Sequence, residues 1–192
     1  MHVFDKLPKG YRELLSINLQ KDKKLALLVN GTAIAIGVLL VLIMHLFVPI
    51  GTLLDASDGD LYTKRFLMIA IGCVVYILLH EMVHGMVMKL YGAQQVKYGY
   101  TGLYAHAGTD EFFDKKSYLV IALAPVVFWG IVLLAAQFFV SGVWNWVVWA
   151  IQIANLSGAA GDAYVTWKFS KLPDDIIVQD SGVSMTVYTS QL

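Results

Sequence analysis

The stretch FLMIAIGCVVYILLHEMVHGMVMKLY occupies residues 66–91 and carries two histidines and a glutamate inside an otherwise apolar run. A run of about 20 mostly apolar residues is long enough to cross a bilayer as a helix. Ionisable groups within such a helix are costly, so they mark a functional site unless another group compensates them. We therefore predict a membrane-spanning helix over 66–91 that carries a functional site at His80, Glu81 and His84.

The composition of the whole chain supports a membrane protein. Of the 192 residues, 58% are hydrophobic and 15% are charged, whereas charged residues make up about 25% of an average soluble domain. The formal net charge is zero, so nothing indicates a nucleic-acid partner. The single cysteine excludes an internal disulfide and a Cys-x-x-Cys metal motif.

Two further stretches contain candidates for three more membrane spans. The first, residues 25–51, has no formal charge. Residues 117–161 contain no Asp, Glu, Lys or Arg, and as one helix they would measure roughly 68 Å, about twice the thickness of a bilayer core. This second stretch must therefore contain two spans. The Ser and Gly residues of VSGVWN, 140–145, place the break between spans at 118–140 and 145–167.

The basic residues are unevenly distributed over the predicted loops. Twelve of the 14 Lys and Arg residues lie before the first span, around the loop after the second, or after the fourth. The other two, Lys64 and Arg65, lie between the first and second spans. Because cytoplasmic loops carry the excess of Lys and Arg, we expect both termini to be cytoplasmic.

Two polar segments have the pattern of β-structure. Residues 95–108 are rich in Tyr and Val around a Thr-Gly pair, which predicts a hairpin. In the tail, Val183, Met185 and Val187 alternate with polar residues, which predicts a strand. Both segments are predicted on the cytoplasmic side, where they could pair with each other. The predicted fold class is a mainly α integral membrane protein with four transmembrane helices, a small cytoplasmic hairpin and a C-terminal strand. The predicted domains are a cytoplasmic segment 1–24, a four-span domain 25–168 and a cytoplasmic tail 169–192.

The pattern His-Glu-x-x-His at 80–84 suits a zinc site. His80 and His84 are four residues apart and therefore lie on one face of a helix, where two imidazoles can hold one zinc ion. Glu81 is then placed to act as a general base on water. Alternatively, these residues form a polar face that lines a water-filled crevice without metal.

A catalytic zinc ion commonly has three protein ligands. Of the acidic residues after His84, only Asp162 lies within a predicted span. His80 and His84 lie roughly 21–27 Å into the second span and Asp162 roughly 26 Å into the fourth, both counted from the outer side. The equal depth predicts Asp162 as the third ligand. Its alternative role is a hydrated carboxylate at the membrane interface.

His106 and Asn155 are two weaker candidates for contacts with a substrate. His106 lies in the predicted hairpin, where it could bind substrate or stabilise an oxyanion, or be a surface histidine. Asn155 lies two turns before Asp162, where it could orient substrate or a ligand, or bond to a neighbouring helix.

Together these motifs resemble the core of the site-2 proteases, which are intramembrane zinc metalloproteases. A closer resemblance is to a family of small bacterial membrane proteins described as zincin peptidases. The segments that carry it are LLHEMVHGMVMKLYGAQQVKYG, ALAP at 122–125, NLSGAAGD at 155–162 and the tail motif LPDD…VQD…VY. The resemblance covers most of the chain after residue 66. It implies His80, His84 and Asp162 as zinc ligands and Glu81 as the base.

One motif departs from the site-2 protease pattern, because GAAGD at 158–162 replaces the proline-containing turn and Ala163 follows Asp162. The resemblance implies a membrane-embedded zinc metallopeptidase of a bacterial plasma membrane. It would cut membrane-associated or transmembrane substrates near the cytoplasmic face. Two alternatives remain, a metal-binding membrane protein without peptidase activity and a catalytically silent scaffold for partner helices. The sequence carries no signal for the oligomeric state.

Overall fold

Helices make up most of the fold. The computed structural model describes residues 3–102 and 104–191. In chain order its helices are α1 (Lys23–Phe47), α2 (Gly51–Leu54), α3 (Gly59–Leu90), α4 (Lys115–Gln137), α5 (Trp144–Gly158) and α6 (Ala160–Ser170).

Three of these helices, α1, α3 and α4, are long and apolar enough to cross a membrane. They correspond to the first three predicted spans. Large apolar side chains are exposed along them, including Ile34, Ile71 and Ile131. Such surface is unfavourable in water but suits lipid, so the fold indicates a membrane protein.

Each long helix begins at an aspartate that caps its first turn. The Oδ1 atoms of Asp22, Asp58 and Asp114 accept hydrogen bonds from backbone N–H groups of α1, α3 and α4 at 2.7–3.1 Å. Aspartate is a favoured residue at this position because it satisfies donors that the helix leaves free. The capping residues therefore fix where each apolar helix starts.

The predicted fourth span, 145–167, is divided between two helices. Helix α5 ends at Gly158, and α6 begins at Ala160. The N–H of the intervening residue, Ala159, bonds to the carbonyls of Asn155 and Ser157. Neither helix reaches the 18 residues of a candidate span, so a fourth span remains a prediction.

Seven strands form two antiparallel sheets in the described part of the chain. They are β1 (Val3–Phe4), β2 (Arg12–Ile17), β3 (Lys97–Tyr100), β4 (Ala105–Gly108), β5 (Phe112–Asp114), β6 (Ile177–Asp180) and β7 (Met185–Thr189). One sheet has the order β1-β5-β6-β7-β2 and the other is the β3-β4 pair.

The hairpin predicted at 95–108 is confirmed as β3-β4, and the tail strand is confirmed as β7. The expectation that the two segments pair is wrong, because β7 pairs with β6 and β2 instead. The sequence reading also missed β1, β2, β5 and β6. Three of these have only two to four residues, which is too short for an alternating pattern.

By internal packing the described chain forms two units. The first contains Met1–Val29, His80–Pro125 and Gly161–Leu192. Its core is built around Phe113, Phe169, Val178 and Val187, each of which is fully buried. Strands of the five-stranded sheet and turns of α3, α4 and α6 thus share one apolar core.

The second unit contains Asn30–Leu79 and Val126–Ala160. In it the indole N–H groups of Trp146 and Trp149 donate to the carbonyls of Val48 and Leu40, at 3.1 and 2.9 Å. Backbone carbonyls near the end of α1 therefore receive donors from α5. Aromatic donors suit this role because their rings are apolar and only the N–H needs a partner.

A buried hydrogen bond joins α4 to the five-stranded sheet in the first unit. The hydroxyl of Tyr118 donates to Oδ2 of Asp180 at 2.7 Å, and the N–H of Gly182 donates to Oδ1 at 2.8 Å. Burial raises the pKa of the Asp180 carboxyl, and the two hydrogen bonds act in the opposite direction. Both donors depend on this carboxyl because the side chains of Tyr118 and Asp180 are almost fully buried.

Replacing Asp180 by Ala should therefore destabilise the fold. The hydroxyl of Tyr118 and the N–H of Gly182 would lose their acceptor, which costs about 3 kcal/mol of unfolding free energy. Asp180→Asn keeps one acceptor oxygen and should lose less. The matched control is Asp174→Ala, since the side chain of Asp174 is 99% exposed. Unfolding in detergent micelles measures the differences, and equal stability of the Asp180 and Asp174 variants would contradict this role.

Candidate metal centre

Three potential metal ligands converge in the first unit. His80 and His84 lie one turn apart on α3, and their ring centroids are 4.9 Å apart. Each of the two residues is only 9% exposed. Asp162 lies in the first turn of α6. Its Oδ2 is 3.5 Å from Nε2 of His80, and its Oδ1 is 3.8 Å from Nε2 of His84.

The spacing of these atoms fits one tetrahedral zinc ion. One ligand atom from each residue lies within 4.8 Å of the others. Ligands about 2.0–2.1 Å from a zinc ion in tetrahedral geometry are separated by roughly 3.3 Å. Two imidazole nitrogens and one carboxylate oxygen are also a donor set that zinc accepts in catalytic sites. A small contraction of the three side chains would bring their ligand atoms to this spacing and leave the fourth position open.

A backbone carbonyl sets the orientation of one imidazole. The carbonyl oxygen of Ile121 on α4 lies 2.9 Å from Nδ1 of His84. A carbonyl only accepts hydrogen bonds, so Nδ1 carries the proton in this contact. The lone pair of Nε2 is then free and directed towards Asp162, as a metal ligand requires.

Glu81 is held beside these residues by the hairpin. Its carboxylate accepts a hydrogen bond from the N–H of Ala107 on β4 and interacts electrostatically with both histidines and Asp162. The N–H of Thr101 bonds to the carbonyl of Tyr104, which makes that pair a hydrogen-bonded one. Pairs alternate along an antiparallel ladder, so the pair of Tyr98 and Ala107 is not hydrogen-bonded. The N–H of Ala107 therefore points out of the hairpin, where it donates to the carboxylate of Glu81.

The hairpin can approach α3 because residue 85 is glycine. A Cβ atom at Gly85 would overlap the hydroxyl of Tyr98 and lie 2.9 Å from Cγ1 of Val96. The glycine that follows the second histidine thus leaves space for β3. This close approach brings β4 within reach of Glu81.

His106 occupies a slot between two glycines. A Cβ atom at Gly99 would lie 2.7 Å from Nε2 of His106, and one at Gly182 would overlap Cδ2 of the same ring. Nδ1 of His106 is buried and has no hydrogen-bond partner in the described part of the chain. The ring is therefore fixed in orientation by packing.

Asn155 lies in the second unit, inside a buried polar network. Its Oδ1 accepts from the hydroxyl of Tyr76 at 2.9 Å. Its Nδ2 donates to the carbonyl of Val126 at 3.2 Å and to Oε1 of Gln152 at 3.4 Å. Asn155 is fully buried, so the predicted alternative of bonding to neighbouring helices accounts for its amide. Contact of Asn155 with a substrate stays a prediction.

Sequence reasoning missed the two backbone groups that contact the site. The carbonyl of Ile121 and the N–H of Ala107 belong to apolar residues, so their side chains carry no signal. Only the hairpin register and the proline at 125 could have indicated them. It also missed Asp180, which interacts electrostatically with His84 and Asp162.

The fold and the site together define a membrane protein with a candidate metal centre of two histidines and one aspartate. Residues 73–177 match the model of a family described as "Putative zincin peptidase" (DUF3267). The chain belongs to this family, and the family description indicates a metallopeptidase that uses zinc.

The chain is also similar to one curated protein, the "Uncharacterized 24.7 kDa protein in gap 5'region" of Pyrococcus woesei. The two are 33% identical over 118 residues, which cover 58% of this chain and 50% of the relative. The chain thus spans about half the length of that relative. No solved structure matches.

Removing a ligand should remove the metal. We expect about one zinc ion per chain in protein purified from metal-replete cells, and at least tenfold weaker zinc binding in His84→Ala and Asp162→Ala. Asp174→Ala is the control, because this exposed aspartate pairs with Lys115. Metal analysis and competition with a chelator measure both quantities. Wild-type protein that contains no zinc would exclude the site.

Proposed function

We propose that this protein is a membrane-embedded zinc metallopeptidase. The observation that carries the proposal is the convergence of His80, His84 and Asp162. Glu81 lies beside them, on the same helix as the two histidines. This is the donor set and base of a metal-assisted hydrolase. The resemblance of the chain to the site-2 protease core adds the expectation that the substrates are membrane-associated or transmembrane proteins.

The residues of the site have separate tasks in peptide hydrolysis. Zinc held there supplies Lewis acidity, which activates water and polarises a carbonyl group. Glu81 accepts the proton of the attacking water and then delivers it to the leaving amine nitrogen. The N–H of Ala107 holds the Glu81 carboxylate in place meanwhile. His84 keeps its orientation through the carbonyl of Ile121.

The proposed topology places the site near the cytoplasmic face of a bacterial plasma membrane. The excess of Lys and Arg supports cytoplasmic positions for both termini and for the segments 1–24 and 169–192. In this topology α5 and α6 together form a fourth span, and residues 25–168 form the membrane domain. A break between the two helices at Ala159 is compatible with a span, since irregular backbone is tolerated where protein covers it.

The hairpin offers an edge for an extended peptide. In the described chain no strand pairs with the outer edge of β3, and the residues of β3 are exposed. The other edge of the hairpin is occupied near its end, because the N–H of Thr109 donates to the carbonyl of Asp180 at 2.7 Å. A substrate segment that leaves its helix could add to β3 as a further strand. Unwinding must come first because a helical peptide bond is shielded.

His106 is a candidate for contact with the substrate or for oxyanion stabilisation. It is paired with Gly99 across the hairpin, and the neighbouring residue Ala107 bonds to Glu81. The fixed orientation of its ring supports such a role. Asn155 remains a second candidate for orienting the substrate.

Glu81→Gln should separate metal binding from chemistry. Glutamine retains an oxygen that can accept from Ala107, but it cannot accept the proton of water. Zinc content should stay near that of wild type, while cleavage falls by at least a hundredfold. Comparative proteomics of membranes from wild-type and Glu81→Gln cells measures the loss. A membrane protein that accumulates intact only in the variant identifies the substrate class.

The same comparison discriminates between the functions. Identical membrane proteomes from wild-type and Glu81→Gln cells, with zinc retained in both proteins, would contradict a peptidase. Such a result would favour a metal-binding protein without peptidase activity or a silent scaffold.

A proline in β3 tests the docking of an extended peptide. Tyr100 pairs with Ala105 at a position without ladder hydrogen bonds, so its N–H faces the open edge. Tyr100→Pro removes this donor and leaves the hairpin bonds intact. Loss of one hydrogen bond worth about 1 kcal/mol should lower kcat/KM about fivefold. The substrate is the protein that accumulates in Glu81→Gln cells. In cells that carry Tyr100→Pro, this substrate should be cleaved more slowly than in wild-type cells.

Tyr100→Ala is the control for loss of the side chain, and it should cleave at close to the wild-type rate. Equal rates for the Pro and Ala variants would exclude docking at this position of the strand.

A further inference from the structure

The membrane helix α4 contains an internal proline at position 125. In an α-helix the N–H of each residue bonds to the carbonyl four residues earlier. Proline has no N–H, and its ring also crowds that carbonyl. The residue four positions before Pro125 is Ile121, so the carbonyl of Ile121 has lost its usual donor.

This same carbonyl bonds to the metal-site histidine. Its oxygen lies 2.9 Å from Nδ1 of His84, and Ile121 is only 1% exposed. Water therefore has little access to the freed acceptor. An acceptor in an apolar helix requires another donor, and the imidazole N–H of His84 supplies it.

The hydrogen bond matters because a histidine can bind a metal through either nitrogen. An acceptor at Nδ1 fixes the tautomer, turns the ring and leaves Nε2 for the metal. An ordinary residue at 125 would place its own N–H on the carbonyl of Ile121. That carbonyl would then be shared with the helix or withdrawn from His84.

We propose that Pro125 is a positioning residue for the metal site, which frees the carbonyl of Ile121 to orient His84. The inference rests on the proposed function, since it assigns His84 as a zinc ligand. It gives a role to the backbone hydrogen bond that α4 lacks at Pro125. It concerns the missing N–H of proline, and any bend that the ring causes is a separate effect.

Two replacements at position 125 separate these effects. Pro125→Ala introduces an N–H, whereas lactic acid at 125, incorporated as an α-hydroxy acid, has the same methyl group and no N–H. Competition with a chelator measures the zinc affinity of the full chain without any peptide substrate. Alanine should weaken zinc binding about tenfold, as loss of an orienting partner does. Lactic acid should restore affinity to within about twofold of wild type.

Equal zinc affinity of Pro125→Ala and wild type would overturn the proposal. Equal weakening by alanine and lactic acid would also overturn it, because the ring would then act through packing alone. Unfolding of the metal-free variants in micelles checks that all are folded. Failure of the peptidase proposal has a different signature, namely a wild-type protein that binds zinc, responds to Pro125→Ala and cleaves nothing.

A measurement on the wild-type chain does not depend on the folding of a variant. Nitrogen-15 NMR of histidine-labelled, metal-free protein at about pH 8, where an ordinary imidazole is neutral, reports which nitrogen carries the proton. The proposal expects the proton of His84 on Nδ1. A proton on Nε2 would overturn it.

Discussion

The site depends on the convergence of three polar side chains in apolar surroundings. An isolated imidazole or carboxylate within an apolar helix is costly. Nε2 of His80 and Nε2 of His84 lie within 3.8 Å of the Asp162 carboxylate. The proton of His84 is on Nδ1, so its Nε2 and the carboxylate are both acceptors and need a cation between them. A divalent cation there would compensate these groups and would also hold the first turn of α6 against α3.

Main-chain groups complete this arrangement, and each is available for an identifiable reason. The N–H of Ala107 is free because its pair in the hairpin is not hydrogen-bonded. The carbonyl of Ile121 is free because Pro125 has no N–H. One group contacts Glu81 and the other contacts His84. Replacing the side chain of Ala107 or Ile121 would leave these contacts intact. Side-chain substitutions alone would therefore underestimate the number of residues that contribute to the site.

Local sequence patterns were sufficient for the long helices, the hairpin and the convergence of His80, His84 and Asp162. Apolar runs of about 20 residues have few alternatives, and counting residues along two predicted spans led to the expectation that Asp162 meets the two histidines. The interruption at Ala159 was not predictable in this way, because SGAAGDA contains no proline and no charge before Asp162. The five-stranded sheet was missed for a different reason. Its short strands are specified by long-range pairing, such as β1 with β5 and β2 with β7, which a local pattern does not contain.

The C-terminal turn contacts the site outside its three candidate metal ligands. The family match ends at residue 177, yet the turn that follows β6 packs against the hairpin. Gly182 has a φ of +81° and lies against the ring of His106, so a side chain there would be strained and would also displace the ring. Asp180 fixes this turn through Gly182 and fixes the turn to α4 through Tyr118. The hairpin is thus held from two sides, by Gly85 of α3 and by the tail. The tail is a structural part of the unit that carries the site, because the position of His106 depends on it.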